Sequence, residues 1–160
     1  MDLELEWTPW LGVGIVGLDE DHRALISCYN NLIGTLCGDG RRRAFLPAFE
    51  RLLGCADYHF AHEELVMRNI RYAGYRAHKA EHDRLRADAH DFVLNVEGAY
   101  TRSDLPVVAK YFRYWLVNHI VTHDKQIGAF VEHGWEAPAF APHQRERESL
   151  CQQQARCYLC

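Results

Sequence analysis

The stretch FLPAFERLLGCADYHFAHEELVM, residues 45–67, decides how this chain folds. Its apolar side chains Phe45, Phe49, Leu52, Leu53, Ala56, Phe60 and Met67 recur at steps of three and four. That spacing is one face of a helix, because such positions stand roughly one turn apart. His59 and Glu63 fall on the same face. A buried stripe interrupted by two polar groups is stable only if its neighbours supply hydrogen-bond partners or an ion, since an unpaired polar group in an apolar interior costs about 1–3 kcal/mol.

On the N-terminal side, His22, Leu25, Ile26, Tyr29, Leu32, Ile33 and Leu36 make another helical stripe. Asp19 is expected as its N-cap, its carboxylate accepting from first-turn amides, and Gly38-Asp39-Gly40 ends it. On the C-terminal side, Arg71-Tyr72-Ala73-Gly74 breaks the central helix. A third stripe follows: His78, His82, Leu85, Ala89, Phe92, Val93 and Val96, with Gly98 and the polar residues to Asp104 as the next connection. The fourth helix can start on Ser103, placing Pro106 in the first turn where its missing amide does least harm, and its stripe is Val108, Phe112, Trp115 and His119. Four amphipathic helices with short links predict an all-α, up-and-down four-helix bundle.

Residues 1–18 hold Trp7, Pro9, Trp10, Gly12, Gly14 and Gly17, a composition that predicts an ordered N-terminal arm packed outside the core. Pro138 and Pro142 mark a second change of composition. The expected division is a bundle over 1–135 and a C-terminal extension over 136–160, a tail of unassigned role that carries Cys151, Cys157 and Cys160. Cys28, Cys37 and Cys55 lie along apolar stretches and read as small buried hydrophobes.

A chain of 160 residues suits one core. With a net charge of −4 there is no basic footprint for nucleic acid, and Arg41-Arg42-Arg43 reads as a solvated helix start. No apolar run suffices to cross a membrane, and Met1-Asp2-Leu3-Glu4 is unlike a signal peptide, so a cytoplasmic protein is expected. A bundle that buries its own core is expected to be a monomer.

Polar residues sit on all four stripes: His22 on the first, His59 and Glu63 on the second, His78 and His82 on the third, His119 on the fourth, with Asp124 just beyond. His59 with Glu63, and His78 with His82, are i,i+4 pairs whose side chains leave the helix in one direction. A bundle that gathers these faces places five imidazoles and one or two carboxylates in an apolar centre. Metal coordination resolves that arrangement. Imidazole with carboxylate suits iron, zinc or manganese, and so many donors exceed the four that a tetrahedral zinc takes. They suit two ions sharing the carboxylates. Spacing alone leaves one rivalry open: His123 stands at i+4 from His119, whereas Asp124 at i+5 needs the helix to loosen or end. His62 and Glu64 lie off the stripe, Glu64 as an acceptor behind a ligand or solvated, and His90, His133 and His143 read as surface residues.

The strings Val13-Gly14-Ile15 with Asp19-Glu20-Asp21-His22, His59-Phe60-Ala61-His62-Glu63-Glu64, His78-Lys79-Ala80-Glu81-His82, and Trp115-Leu116-Val117-Asn118-His119-Ile120-Val121-Thr122-His123-Asp124 together resemble the bacterial hemerythrins. The resemblance implies two iron ions. His78, His82 and His119 would hold one, His22 and His59 the other with a position left open, and Glu63 and Asp124 would bridge them beside an oxygen from solvent. It favours Asp124 over His123, and it sets Leu116 and Ile120 over the oxygen site, with Trp115 flanking. The implied function is reversible binding of dioxygen for storage, delivery to an oxygen-using enzyme or sensing, without enzymatic turnover. Carboxylate-type diiron oxygenases pair Glu-x-x-His motifs, and this chain has none. The alternatives are a diiron enzyme acting on peroxide or nitric oxide, and an iron-handling or repair protein.

Overall fold

The computed structural model describes residues 4–35, 41–99 and 105–133, with side chains over 4–35, 44–92 and 107–133. Its helices are α1 (Val16–Thr35), α2 (Arg41–Asn69), α3 (Tyr75–Ala99), α4 (Leu105–His119) and α5 (Lys125–Glu132), with a π-helical turn over Ile120–Asp124. The backbone stays right-handed helical from His119 through the π turn into Lys125, so α4, the turn and α5 form one rod. The four rods make the predicted all-α bundle. No strand occurs among the described residues, and no helix among them is long and apolar enough to cross a membrane. Leu36, the Gly38-Asp39-Gly40 link, the side chains of Val93, Val96 and Pro106, the Ser103 cap and the extension with Cys151, Cys157 and Cys160 lie outside the described residues.

Two boundaries differ from expectation. α3 runs through Gly98 to Ala99 rather than ending at the glycine. α1 begins at Val16, so Gly17 is helical and Asp19 sits in the first turn instead of capping it. The Asp19 carboxylate is used by the arm: its Oδ1 accepts the Val13 amide at 2.7 Å, which ties down the chain just before the helix.

The arm is ordered by the same kind of contact. Asn30 on α1 accepts the Leu5 amide and donates to the Leu5 carbonyl, both at 2.8 Å, a side-chain amide pairing like a strand neighbour. Leu5, Leu11 and Val13 are buried beneath it. Gly128 lets the arm lie directly on α5, since a Cβ there would stand 1.9 Å from the Val13 carbonyl oxygen. Between α2 and α3 the chain reverses through Arg71, which adopts φ 54° where glycine is usual; Tyr72 donates to the Met67 carbonyl and Arg71 to that of Arg68, closing the helix end.

Away from the polar residues the core is aromatic. The rings of Phe49, Phe92 and Phe112, from α2, α3 and α4, meet with centroids 4.8–5.0 Å apart. Full burial of each such side chain stabilises the fold by about 1.5–3 kcal/mol.

Candidate metal centre

Farther along the same rods the stripes turn polar, and every predicted donor is buried there. His22, Glu63, His82 and Asp124 are wholly inaccessible, and His59, His78 and His119 are at most 4 % exposed. One donor group is Glu63, His78, His82, His119 and Asp124; a second is His22, His59, Glu63 and Asp124. The two share their carboxylates. In the first, Glu63 Oε2 lies 2.9 Å from His78 Nε2 and 3.1 Å from His82 Nε2, while Asp124 Oδ1 lies 3.0 Å from His119 Nε2 and 3.2 Å from His78 Nε2. In the second, Asp124 Oδ2 lies 3.1 Å from His22 Nε2 and 3.7 Å from His59 Nε2.

Asp124 reaches the cluster because the rod loosens where the sequence required it to. The π turn inserts one residue into the helical repeat, which rotates Asp124 inward and carries His123 to the half-buried flank, 4.0 Å from Glu81. Local side chains occupy carbonyls of the widened turn: the Thr122 hydroxyl donates to the Asn118 carbonyl at 2.6 Å, and the Gln126 amide donates to the Thr122 carbonyl at 2.5 Å. π turns of this kind recur at functional sites.

The charge state favours cations. Burial and the nearby Asp124 charge push the Glu63 carboxyl up, but hydrogen bonds from His78 and His82 prevail and hold it down at about 2. Burial likewise opposes ionisation of Asp124, and the charge and hydrogen bond of His119, with bonds from His22 and His59, hold it well below the usual carboxylate range. His78, though burial lowers it, is raised to about 9 by hydrogen bonds to Asp124 and Glu63, and His22 is raised by Asp124 against its own burial. Burial and the neighbouring imidazoles lower His82.

Two ionised carboxylates therefore stand side by side in a closed interior. The donor set fits metal ions on the structure's own terms. His59 Nε2, Glu63 Oε1, His78 Nε2 and Asp124 Oδ1 make no well-formed hydrogen bond among the described residues, although charged neighbours crowd around them. The ring nitrogens of His82 and His119 face each other at 3.1 Å. Donors that approach without pairing are arranged around common points, which is how ligands of one ion stand.

Around this cluster, Glu64 is buried and accepts from His82 Nδ1 at 3.2 Å and from Arg86 at 3.4 Å, the acceptor role foreseen for it. Phe60 stacks on His82 at 4.1 Å, and the Arg86 guanidinium lies over the Phe60 ring, 5.0 Å from its centroid. Trp115, Leu116 and Ile120 are buried. Sequence reasoning missed one pair. His62, which lies off the stripe, and Asp21, to which the sequence assigns no role, are both buried and joined by a 2.5 Å hydrogen bond between α2 and α1. Each stands one residue before a donor, Glu63 and His22, and that shared offset was the available signal.

A four-helix bundle with a buried histidine–carboxylate cluster on all four rods defines a metal-binding protein. Residues 13–131 match the profile of the hemerythrin HHE cation binding domain. The chain is 30 % identical over 125 residues to a bacteriohemerythrin of Methylococcus capsulatus, covering 78 % of this chain and 94 % of that one. It is 25 % identical over 118 residues to hemerythrin subunit 1 of Golfingia vulgaris, covering 74 % and 85 %. A crystal structure of wild-type hemerythrin superposes with a TM-score of 0.69 at 30 % identity, covering 78 % of this chain and 95 % of the other. The chain belongs to the hemerythrin family. That family comprises non-heme-iron proteins that bind oxygen, and the buried cluster fits such a site.

Proposed function

We propose that the chain binds dioxygen reversibly at a pair of iron ions, one held by His78, His82 and His119, the other by His22 and His59, with Glu63 and Asp124 shared. The observation that carries this reading is the division of the donors into two groups, three imidazoles and two, that have both carboxylates in common. With one imidazole fewer than its neighbour, the ion on the His22–His59 side would be the one able to accept a small molecule. When bound, the iron pair supplies the two electrons that reversible capture of dioxygen requires.

The chain's own side chains set the conditions. Glu64 accepts from His82 Nδ1, which keeps the proton on that nitrogen and turns the Nε2 lone pair toward the cluster. Leu116, Ile120 and Trp115 are buried next to His119 in the rod and keep water away, which favours release of oxygen over its reduction. A cleft of about 340 Å³ between α2, α3 and α4 is lined by Leu53, Ala56, Leu85, Phe60 and Trp115. Phe60, which lines this cleft, is also the ring stacked on His82, which supports the cleft as an approach for a small gas. A bundle over residues 1–135 that buries its core within one chain would act as a monomer, and the proposed roles are storage, delivery or sensing in the cytoplasm.

The test is iron content per chain, followed by oxygen titration of the reduced, anaerobic protein. Two irons per chain and charge-transfer bands that appear with oxygen and fade under vacuum are expected. At most one ion per chain overturns the diiron centre, and rapid irreversible oxidation overturns reversible binding in favour of turnover.

A further inference from the structure

The π turn that carries Asp124 into the cluster leaves its neighbour His123 on the flank of the rod. There His123 joins a further donor group, in which one atom each from Glu81, His119 and His123 lie within 4.8 Å of one another. Glu81 stands one residue before His82 on α3, and its Oε1 lies 4.0 Å from His123 Nε2. The His123 ring stacks on His119 with centroids 5.3 Å apart and meets His78 edge-on at 5.8 Å. Two of the three imidazoles in the first buried group therefore border this flank.

Exposure falls in order across the three residues. The His123 side chain is 35 % exposed and that of Glu81 17 %, whereas His119 is buried. His119 Nε2 faces His82 and Asp124, while its Nδ1 is buried and has no hydrogen-bond partner among the described residues. One ring thus has a nitrogen engaged by the cluster and a second nitrogen left over. Arg84 donates to Glu81 Oε1 at 2.6 Å and to Oε2 at 2.9 Å. A carboxylate has about four acceptor sites, so this exposed guanidinium orients Glu81 without using it up.

We propose that Glu81 and His123 form a loading site that captures a divalent transition-metal ion from solvent and passes it to the buried cluster through His119, the residue common to both groups. This rests on the reading of the cluster as an iron centre. Stripping a divalent ion of its water in a single step at a closed interior is costly, because a desolvated charge must find its full set of partners at once. Donors of graded exposure replace that water in stages. Imidazole with carboxylate selects Fe2+, Zn2+ or Mn2+ over thiolate-seeking metals. The buried groups offer two carboxylates against one here, so transfer runs inward.

The experiment adds Fe2+ anaerobically to the chelator-stripped full chain and follows uptake by the iron that a ferrous chelator can still reach. Glu81→Gln and His123→Ala should each slow uptake by roughly tenfold, the effect of losing one supporting group at a metal site. Both should end at the wild-type iron content. His123→Asp, which keeps a metal-binding atom, should load at close to the wild-type rate, as should His133→Ala at an exposed histidine outside the group. Wild-type rates in both Glu81→Gln and His123→Ala overturn the proposal. So does a lowered final content, which would make these residues ligands of the resting centre, or equal slowing in His133→Ala. If a stripped variant does not refold, release from the loaded, reduced variant to the chelator reads the same passage in reverse and should be slowed alike; unslowed release overturns the proposal. A wild-type chain that ends at one ion or none defeats the diiron reading, and a chain that ends at one still lets the comparison of rates decide the loading site.

Discussion

One rod, α2, runs through two interiors of opposite character. Near its start, Phe45 and Phe49 pack with Phe92 and Phe112; nearer its end, His59 and Glu63 meet five other donors. Phe49 and Glu63 are equally inaccessible. Their energetics have opposite sign. Removing an aromatic ring from water stabilises the fold by itself, whereas a buried carboxylate is a cost unless charge and hydrogen bonds compensate it. The difference teaches that burial alone does not identify a stabilising region. Here the aromatic end holds the helices at the separation that the donor end requires, and an ion at the donor end converts its cost into cohesion.

The largest effect should come from the donor end. Asp124→Ala removes a carboxylate shared by both groups and should lower bound iron from the proposed two per chain to at most one, while His123→Ala should leave the wild-type content in place. Elemental analysis of the two purified variants is the measurement. The reverse result would mean that the π turn orients His123, not Asp124, as the working donor.

Next in size is the aromatic end. Phe49→Ala should destabilise the protein by about 3–5 kcal/mol through lost burial and the cavity left behind. Urea unfolding gives that number. Iron content of the folded fraction should stay at the wild-type value, because Phe49 touches rings and not donors. Loss of iron in the folded variant would show that the two ends are not separable.

How far the chain can be read without coordinates follows from the same contrast. The stripes of α1 to α4 are legible because apolar positions repeat with the helical period, and the donors are legible because they interrupt those stripes at matching depth. Even the loosening between His119 and Asp124 is legible as a geometric need, although its form, a π turn stapled by Thr122 and Gln126, depends on backbone detail. Asp19 misleads because an acid before a helical stripe resembles a cap; only the path of the arm shows that its carboxylate serves Val13. Cys28 and Cys55 read as small hydrophobes, and that is where they lie, Cys55 in the core and Cys28 packed against it. Pairings between helices are set by relative rotation and depth, and single-helix periodicity carries neither with enough precision.

Asp21 and His62 give the smallest effect and the finest test of the comparison. They are polar and buried like the donor cluster, yet they satisfy each other across α1 and α2 and face no carboxylate shared by two groups. If the cluster's dependence on an ion comes from its unpaired donors, a polar pair that is already satisfied should behave as ordinary structure. Asp21→Ala and His62→Ala should each cost about 1–3 kcal/mol, because each leaves a buried partner behind. The double variant should cost less than the sum, with a coupling of roughly 0.5–3 kcal/mol in a double-mutant cycle. All three should retain two irons per chain when folded. Additive losses would show that the bond contributes nothing to holding α1 on α2. Iron loss in a folded single variant would place the pair among the groups that position His22 and Glu63, the donors immediately following them in the chain, and would extend the polar end of the bundle by one layer.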